Sequence, residues 1–223
     1  MRYPQARILV FCKPPIPGQA KTRLIPALGA QGAADLHAEL VRATLARAVR
    51  SELAPVELWV SAEPEHAFFQ QMHAEFACAV LTQHGDDLGA RMAQALETAL
   101  ADAEFAVLIG TDCPALDADY LAQACAALAD RADRTDGADA VLGPAEDGGY
   151  VLIGLRRFDR RSGPRSDRGF DYSALFADIP WGTSAVLEQT RQRLAGLGWS
   201  VRELPALWDV DRPEDLPRLQ SRL

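Results

Sequence analysis

Four short stretches of the chain carry side chains able to hold a phosphate, a metal ion or a sugar hydroxyl. Phe105-Ala-Val-Leu-Ile-Gly-Thr-Asp-Cys-Pro114 releases one carboxylate, Asp112, after an apolar run bounded by breakers. Such a run reads as a central strand buried on both faces, and open α/β sheets bind ligands beyond the carboxyl ends of such strands. A carboxylate leaving the core there needs a cation, a hydroxyl or a basic partner, because burying it alone is costly. Asp112 could instead cap the following helix, although Asp117 is better placed to do so.

Gly18-Gln-Ala-Lys21-Thr22-Arg23 offers backbone N–H groups and two cations to a phosphate. Ala20 stands where a Walker A loop needs glycine, and no G-x-G-x-x-G follows the first apolar run. Pro14, Pro15 and Pro17 would also account for a merely stiff, solvated loop. In Asp209-Val-Asp211, residues two apart on an extended segment face one side, so both carboxylates could act together. Pro213 makes Asp211 equally a candidate cap for a last helix. Mg²⁺ or Mn²⁺ suits such a place, since it takes one or two carboxylates together with phosphate oxygens. Glu146-Asp147-Gly148-Gly149-Tyr150 adds two acids to a paired-glycine turn. The glycines alone explain the turn. The acids exceed what it needs and suit an acceptor hydroxyl. His37, His66, His73 and His84 have no metal-ligand spacing, and only His84, beside Asp86 and Asp87, falls in a loop that could face a ligand.

The elements that must position these groups alternate. Strands are expected at Arg7–Lys13, Val56–Ser61, Ala77–Thr82 and around Phe105. Helices are expected from about Gln31 to Arg50, Pro64 to Phe76, Arg91 to Ala101 and Asp117 to Ala129. That rhythm predicts a mostly parallel sheet covered by helices on both faces. Ala138–Pro144 and Tyr150–Leu155 are too close for a helical crossover, so the topology should become mixed there. A helix ending near Leu194, a strand over Trp199–Leu204 and a final helix complete the pattern. Arg156 to Arg168 carries six arginines and reads as a loop.

The chain's 223 residues fit one α/β domain, here 1–223. A net charge of −8 argues against nucleic acid as the main partner. No apolar run is long enough for a membrane span, and the residues before Lys13 predict no signal peptide. Four cysteines without C-x-x-C spacing read as reduced thiols and a cytoplasmic location.

Phe11-Cys-Lys-Pro-Pro-Ile-Pro-Gly-Gln-Ala-Lys-Thr-Arg-Leu24, Gly85-Asp-Asp-Leu-Gly-Ala-Arg-Met92, Ile109–Pro114, Gly143–Tyr150, Ile179-Pro-Trp-Gly-Thr-Ser184 and Asp209–Leu216 together resemble, in order, the blocks of a bacterial glycosyltransferase-A-like family. That family belongs to the nucleotide-diphospho-sugar transferase superfamily, and some of its members are labelled arsenosugar-biosynthesis glycosyltransferases. The resemblance implies a Rossmann-like three-layer α/β/α sandwich with a mostly parallel sheet and a mixed C-terminal part, its nucleotide-binding half running to about 115 and its acceptor half from about 116 to 223. It implies nucleotide and phosphate contacts at Gly18, Lys21 and Arg23; Lys13, Thr22 and Asp87 are further candidates for those contacts, and Gly148, Gly149, Tyr150 and Trp181 are candidates for acceptor contacts. Catalytic roles would fall on Lys21, Asp112, Glu146 and Asp147, with Mg²⁺ or Mn²⁺ held by Asp112 and Asp211. The expected partners are a nucleotide-sugar or nucleotide and a small-molecule acceptor. The expected activity is glycosyl transfer, the alternatives being nucleotidyl transfer with pyrophosphate release and a non-catalytic nucleotide-sugar binding protein. Many glycosyltransferases of this fold carry Asp-x-Asp, whereas Asp112 is followed by Cys113 and Pro114.

Overall fold

In the computed structural model, residues 1–129, 137–158 and 172–220 are described. Seven strands form a continuous sheet in the order β3-β2-β1-β4-β6-β5-β7. They are β1 (Ala6–Cys12), β2 (Val56–Val60), β3 (Ala79–Thr82), β4 (Phe105–Ile109), β5 (Ala140–Pro144), β6 (Tyr150–Arg156) and β7 (Val201–Glu203). The helices are α1 (Ile25–Arg50), α2 (Ala67–Phe76), α3 (Leu88–Asp102), α4 (Ala118–Ala129), α5 (Ser173–Phe176), α6 (Val186–Gly196) and α7 (Leu216–Gln220).

The central strands β1 and β4 pair in parallel, Ala6 opposite Phe105 and Val10 opposite Ile109, and every residue of β4 is buried. This is the all-apolar run that a strand covered on both faces requires. Alternate residues feed opposite faces. Ile8 and Val10 pack with Leu40, Leu45, Phe69 and Leu121 of α1, α2 and α4. Leu9 and Leu108 pack with Leu96, Leu175 and Leu194 of α3, α5 and α6. The result is the three-layer, Rossmann-like α/β/α sandwich. The strand β6 is antiparallel to both β4 and β5, while β7 returns parallel to β5, so the mixed part begins where the short Pro144–Tyr150 connection forbids a crossover.

Several boundaries differ from the sequence expectation for local reasons. The helix α3 begins at Leu88 rather than Arg91, because the Asp87 carboxylate accepts from the Ala90 N–H at 2.7 Å and caps it. Gly89 is therefore helical, and its missing side chain is needed: a Cβ there would lie 2.8 Å from the Trp181 ring. The helix α1 is broken at Gly29, where φ is 71°, so its regular part does start near Gln31. The strand β7 is shorter than expected and exposed at every residue. Most of the arginine-rich stretch, 159–171, lies outside the described residues.

Candidate functional site

The chain runs outward from β1 through β2 to β3, then returns to place β4 on the other side of β1. The carboxyl ends of β1 and β4 therefore flank a topological switch point, where open α/β sheets hold their ligands. The loop after β1 and the loop after β4 meet there, together with a third segment around Val210.

Lys21 ties the three together. It sits in the left-handed region at φ 48°, unusual for a non-glycine residue, and is only 5% exposed. Its ammonium donates to the Val210 carbonyl and lies 2.8 Å from Asp112 Oδ1. The Val210 N–H donates to the Asp112 carbonyl at 2.8 Å, so backbone and side chain of Asp112 are both anchored. The Asp112 carboxylate nevertheless remains 47% exposed, and its Oδ1 has the ion pair but no aligned hydrogen bond.

Asp209 is the carboxylate that shares this field. Burial first, then the charges of Asp147 and Asp112, push it up to about 6, with the Lys21 ammonium opposing. Asp211, the expected partner of Asp112, is instead ion-paired with Arg23. Nor does Asp211 cap the last helix: the Asp215 carboxylate accepts from the Asp211 and Arg212 N–H groups at 3.0 and 2.8 Å. Among the described residues, no three His, Cys, Asp or Glu side chains form a complete metal cage.

The turn after β5 forms the far wall. Glu146 is gripped by both nitrogens of Arg218 at 2.8 and 3.1 Å, and that guanidinium holds its carboxyl below the usual range. Arg218 in turn stacks over Trp208 at 4.6 Å. The Glu146 carboxylate is therefore already engaged by a guanidinium. Asp147 is exposed, and its Oδ1 accepts only the Gly149 N–H within the turn, at 2.9 Å. Gly148 has φ +91° and presses against the next segment, since a Cβ would lie 2.4 Å from the Ser184 carbonyl oxygen. Between these walls lies a cleft of about 420 Å³ bordered by Arg23, Glu146, Asp147, Asp209, Asp211 and Arg218. Tyr150 and Trp181 meet edge to face at 6.4 Å on the side of an adjoining apolar hollow.

Of the phosphate candidates, Lys13, Gly18, Thr22 and Arg23 are exposed on the loop after β1. Lys21 is occupied by protein partners, and Asp87 is spent on the cap of α3. One residue escaped the sequence reading. His37, buried in α1, lies with Nε2 3.0 Å from the Lys13 carbonyl and Nδ1 3.9 Å from Asp112 Oδ1. The carbonyl can only accept, so Nε2 carries the hydrogen. Burial lowers the pKa of the ring, which keeps it neutral with Nδ1 bare. His37 thus ties α1 to the loop after β1, while its Nδ1 faces Asp112 Oδ1 without a hydrogen bond. Nothing local marks it, because its partners lie far away along the chain.

The fold is shared with solved transferases. A structure from Desulfovibrio desulfuricans G20, provisionally described as a nucleotide-diphospho-sugar transferase, superposes with a TM-score of 0.80 at 29% identity, over 97% of this chain and 86% of that one. A cytidylyltransferase from Leptospira borgpetersenii gives 0.59 at 13% identity, over 98% and 86%. Glucosyl-3-phosphoglycerate synthase of Mycobacterium tuberculosis, solved with Mn²⁺, UDP and its product, gives 0.54 at 9% identity, over 98% and 76%. No curated protein matches the chain. The profile of one family matches residues 44–183, the greater part of the sequence. By that match the chain belongs to the bacterial family described as "Uncharacterized protein conserved in bacteria (DUF2064)", on a fold of the glycosyltransferase-A kind.

Proposed function

We propose that the protein is a transferase that binds a nucleotide-diphospho-sugar with a divalent metal ion and passes the sugar to a hydroxyl acceptor. The observation that carries this reading is the meeting of Lys21, Asp112 and Asp209 at the switch point of a Rossmann-like sheet. Asp209, whose pKa is raised first by burial and then by the charges of Asp147 and Asp112, is a carboxylate that a cation would relieve, and Asp112 keeps a half-open carboxylate for it. Asp112 and Asp209 would hold Mg²⁺ or Mn²⁺, which takes few protein carboxylates when phosphate oxygens complete its shell. Once bound, that ion would supply positive charge to the leaving diphosphate. The likeness to the Mn²⁺- and UDP-bound synthase supports the same class of ligand.

The chain's own groups divide the remaining work. Lys13 and Arg23, exposed on the loop after β1, meet the phosphates, while Lys21 holds Asp112 in place. Asp147 takes the proton from the acceptor hydroxyl. The acceptor oxygen then bonds to the anomeric carbon of the sugar. The bond from that carbon to the diphosphate oxygen breaks, and its electron pair leaves with the nucleoside diphosphate.

A second reading, nucleotidyl transfer, is favoured by the single carboxylate of Thr111-Asp112-Cys113, where Asp-x-Asp would supply two. Incubation with nucleotide sugars and with nucleoside triphosphates separates the readings. Release of a nucleoside diphosphate from a nucleotide sugar, dependent on Mn²⁺ and lost in Asp112→Ala, is expected. Pyrophosphate release from triphosphates alone would transfer the assignment to the second reading, and binding without turnover of either would make the protein a nucleotide-sugar carrier.

A further inference from the structure

Beside the charged cleft lies an apolar pocket of about 210 Å³, walled by Phe11, Leu88, Met92, Tyr150 and Trp181. Asp147 and Thr183 border both cavities, so the Asp147 carboxylate stands between them. The pocket's lip includes Leu88, which is 44% exposed and among the few large apolar side chains left in water within the described residues. The Trp181 indole N–H is buried without a protein partner, a donor left unspent in the wall. A preformed apolar hollow with a few polar groups at its mouth is the usual form of a small-molecule site. For scale, an apolar cavity of about 150 Å³ is enough to bind benzene.

We propose that this pocket seats a hydrocarbon or aromatic ring of the acceptor, so that the acceptor is a ring-bearing alcohol rather than a bare sugar. The identification of its occupant as an acceptor rests on the transferase reading. The donor's diphosphate belongs with Lys13, Arg23 and the Asp112–Asp209 pair, across Asp147 from the pocket. A polyhydroxylated acceptor would press its hydroxyls against walls that offer almost no partners. A ring fills them, and its attached hydroxyl emerges at the Asp147 carboxylate.

The probes are 2-phenylethanol and cyclohexylmethanol, with glycerol and glucose as controls, titrated by calorimetry against the intact protein. Nucleotide diphosphate sugars with Mn²⁺ are titrated separately. Leu88→Trp narrows the mouth at an exposed position, and its fold is checked by circular dichroism. The ring alcohols are expected to bind roughly tenfold or more tightly than the controls, as burial of one ring predicts. Leu88→Trp should weaken them by about the same factor and leave nucleotide binding unchanged. Equal affinity for ring alcohols and glycerol would overturn the proposal. So would displacement of 2-phenylethanol by phosphate-free nucleosides with loss of nucleotide affinity in Leu88→Trp, because the pocket would then hold the donor's base. Nucleotide-sugar binding without ring-alcohol binding would sink this inference alone. Ring-alcohol binding with no response to any nucleotide would keep the pocket and sink the transferase reading.

Discussion

Three carboxylates carry the proposed site at the scale of residues, and each is set apart by its surroundings. Asp209 carries a raised pKa, so the folded protein holds its proton more tightly than the unfolded chain does. Its ionisation therefore costs stability: the cost is absent below the unfolded value of 3.8, grows as pH rises through about 6, and is complete above that. Asp209→Asn should raise the metal-free Tm at pH 7.5, by less at pH 5, and match the wild type only below about pH 4. Because a metal needs the ionised form, Mn²⁺ should raise the wild-type Tm more at pH 7.5 than at pH 5, and barely at all in the variant. A metal response independent of pH in this range would remove Asp209 from the metal site. For Asp147, replacement by Asn should slow turnover by roughly 10²–10⁴-fold at unchanged donor affinity, the usual worth of a general base. Glu146→Gln should slow it far less, since Arg218 already engages that carboxylate. Asp112 was legible in the sequence because a strand end announces it. The pairing of Asp211 with Arg23 was not, because that contact joins residues 188 apart along the chain.

At the scale of elements, three connections hold the site in shape: the loop after β1, the loop after β4 and the turn between β5 and β6. Lys21 is the rivet of the first two. Lys21→Met should cost about 1–3 kcal/mol of unfolding free energy in urea, because the Val210 carbonyl loses its buried donor. An unchanged midpoint would mean that Lys21 is free to leave its partners. The turn depends on Gly148, whose left-handed φ and contact with Ser184 leave no room for a Cβ. Gly148→Ala should cost at least the roughly 1–3 kcal/mol of a strained backbone residue, with further loss from displacing the segment that carries Thr183 and Trp181. The strand–helix alternation was readable from apolar periodicity, and the change to mixed topology from the shortness of the Pro144–Tyr150 connection. The start of α3 was misplaced because Gly89 looks like a breaker in sequence. In space it is the landing site for Trp181.

At the scale of the whole molecule, the order β3-β2-β1-β4 creates the crevice, and the antiparallel β6 brings Asp147 to its far side. A chain of net charge −8 thus gathers its acids where a metal–nucleotide complex could use them. The parallel half was legible because each strand and helix obeys its own local pattern. The joining of its loops to the C-terminal Asp209–Asp211 segment was not, since that contact is purely tertiary. The central claim is that Asp112 and Asp209 bind a metal-bound nucleotide diphosphate, and a thermal-shift series with nucleotide diphosphate sugars and Mn²⁺ tests it most directly. A bound donor at about 100 times its dissociation constant should add roughly 2.7 kcal/mol to the folded state. The account predicts that the nucleotide adds to the Tm only when metal is present, beyond the rise that Mn²⁺ gives alone, and that this added rise is abolished in both Asp112→Ala and Asp209→Asn. An equal rise in those variants, or none in the wild type across all bases, would contradict it.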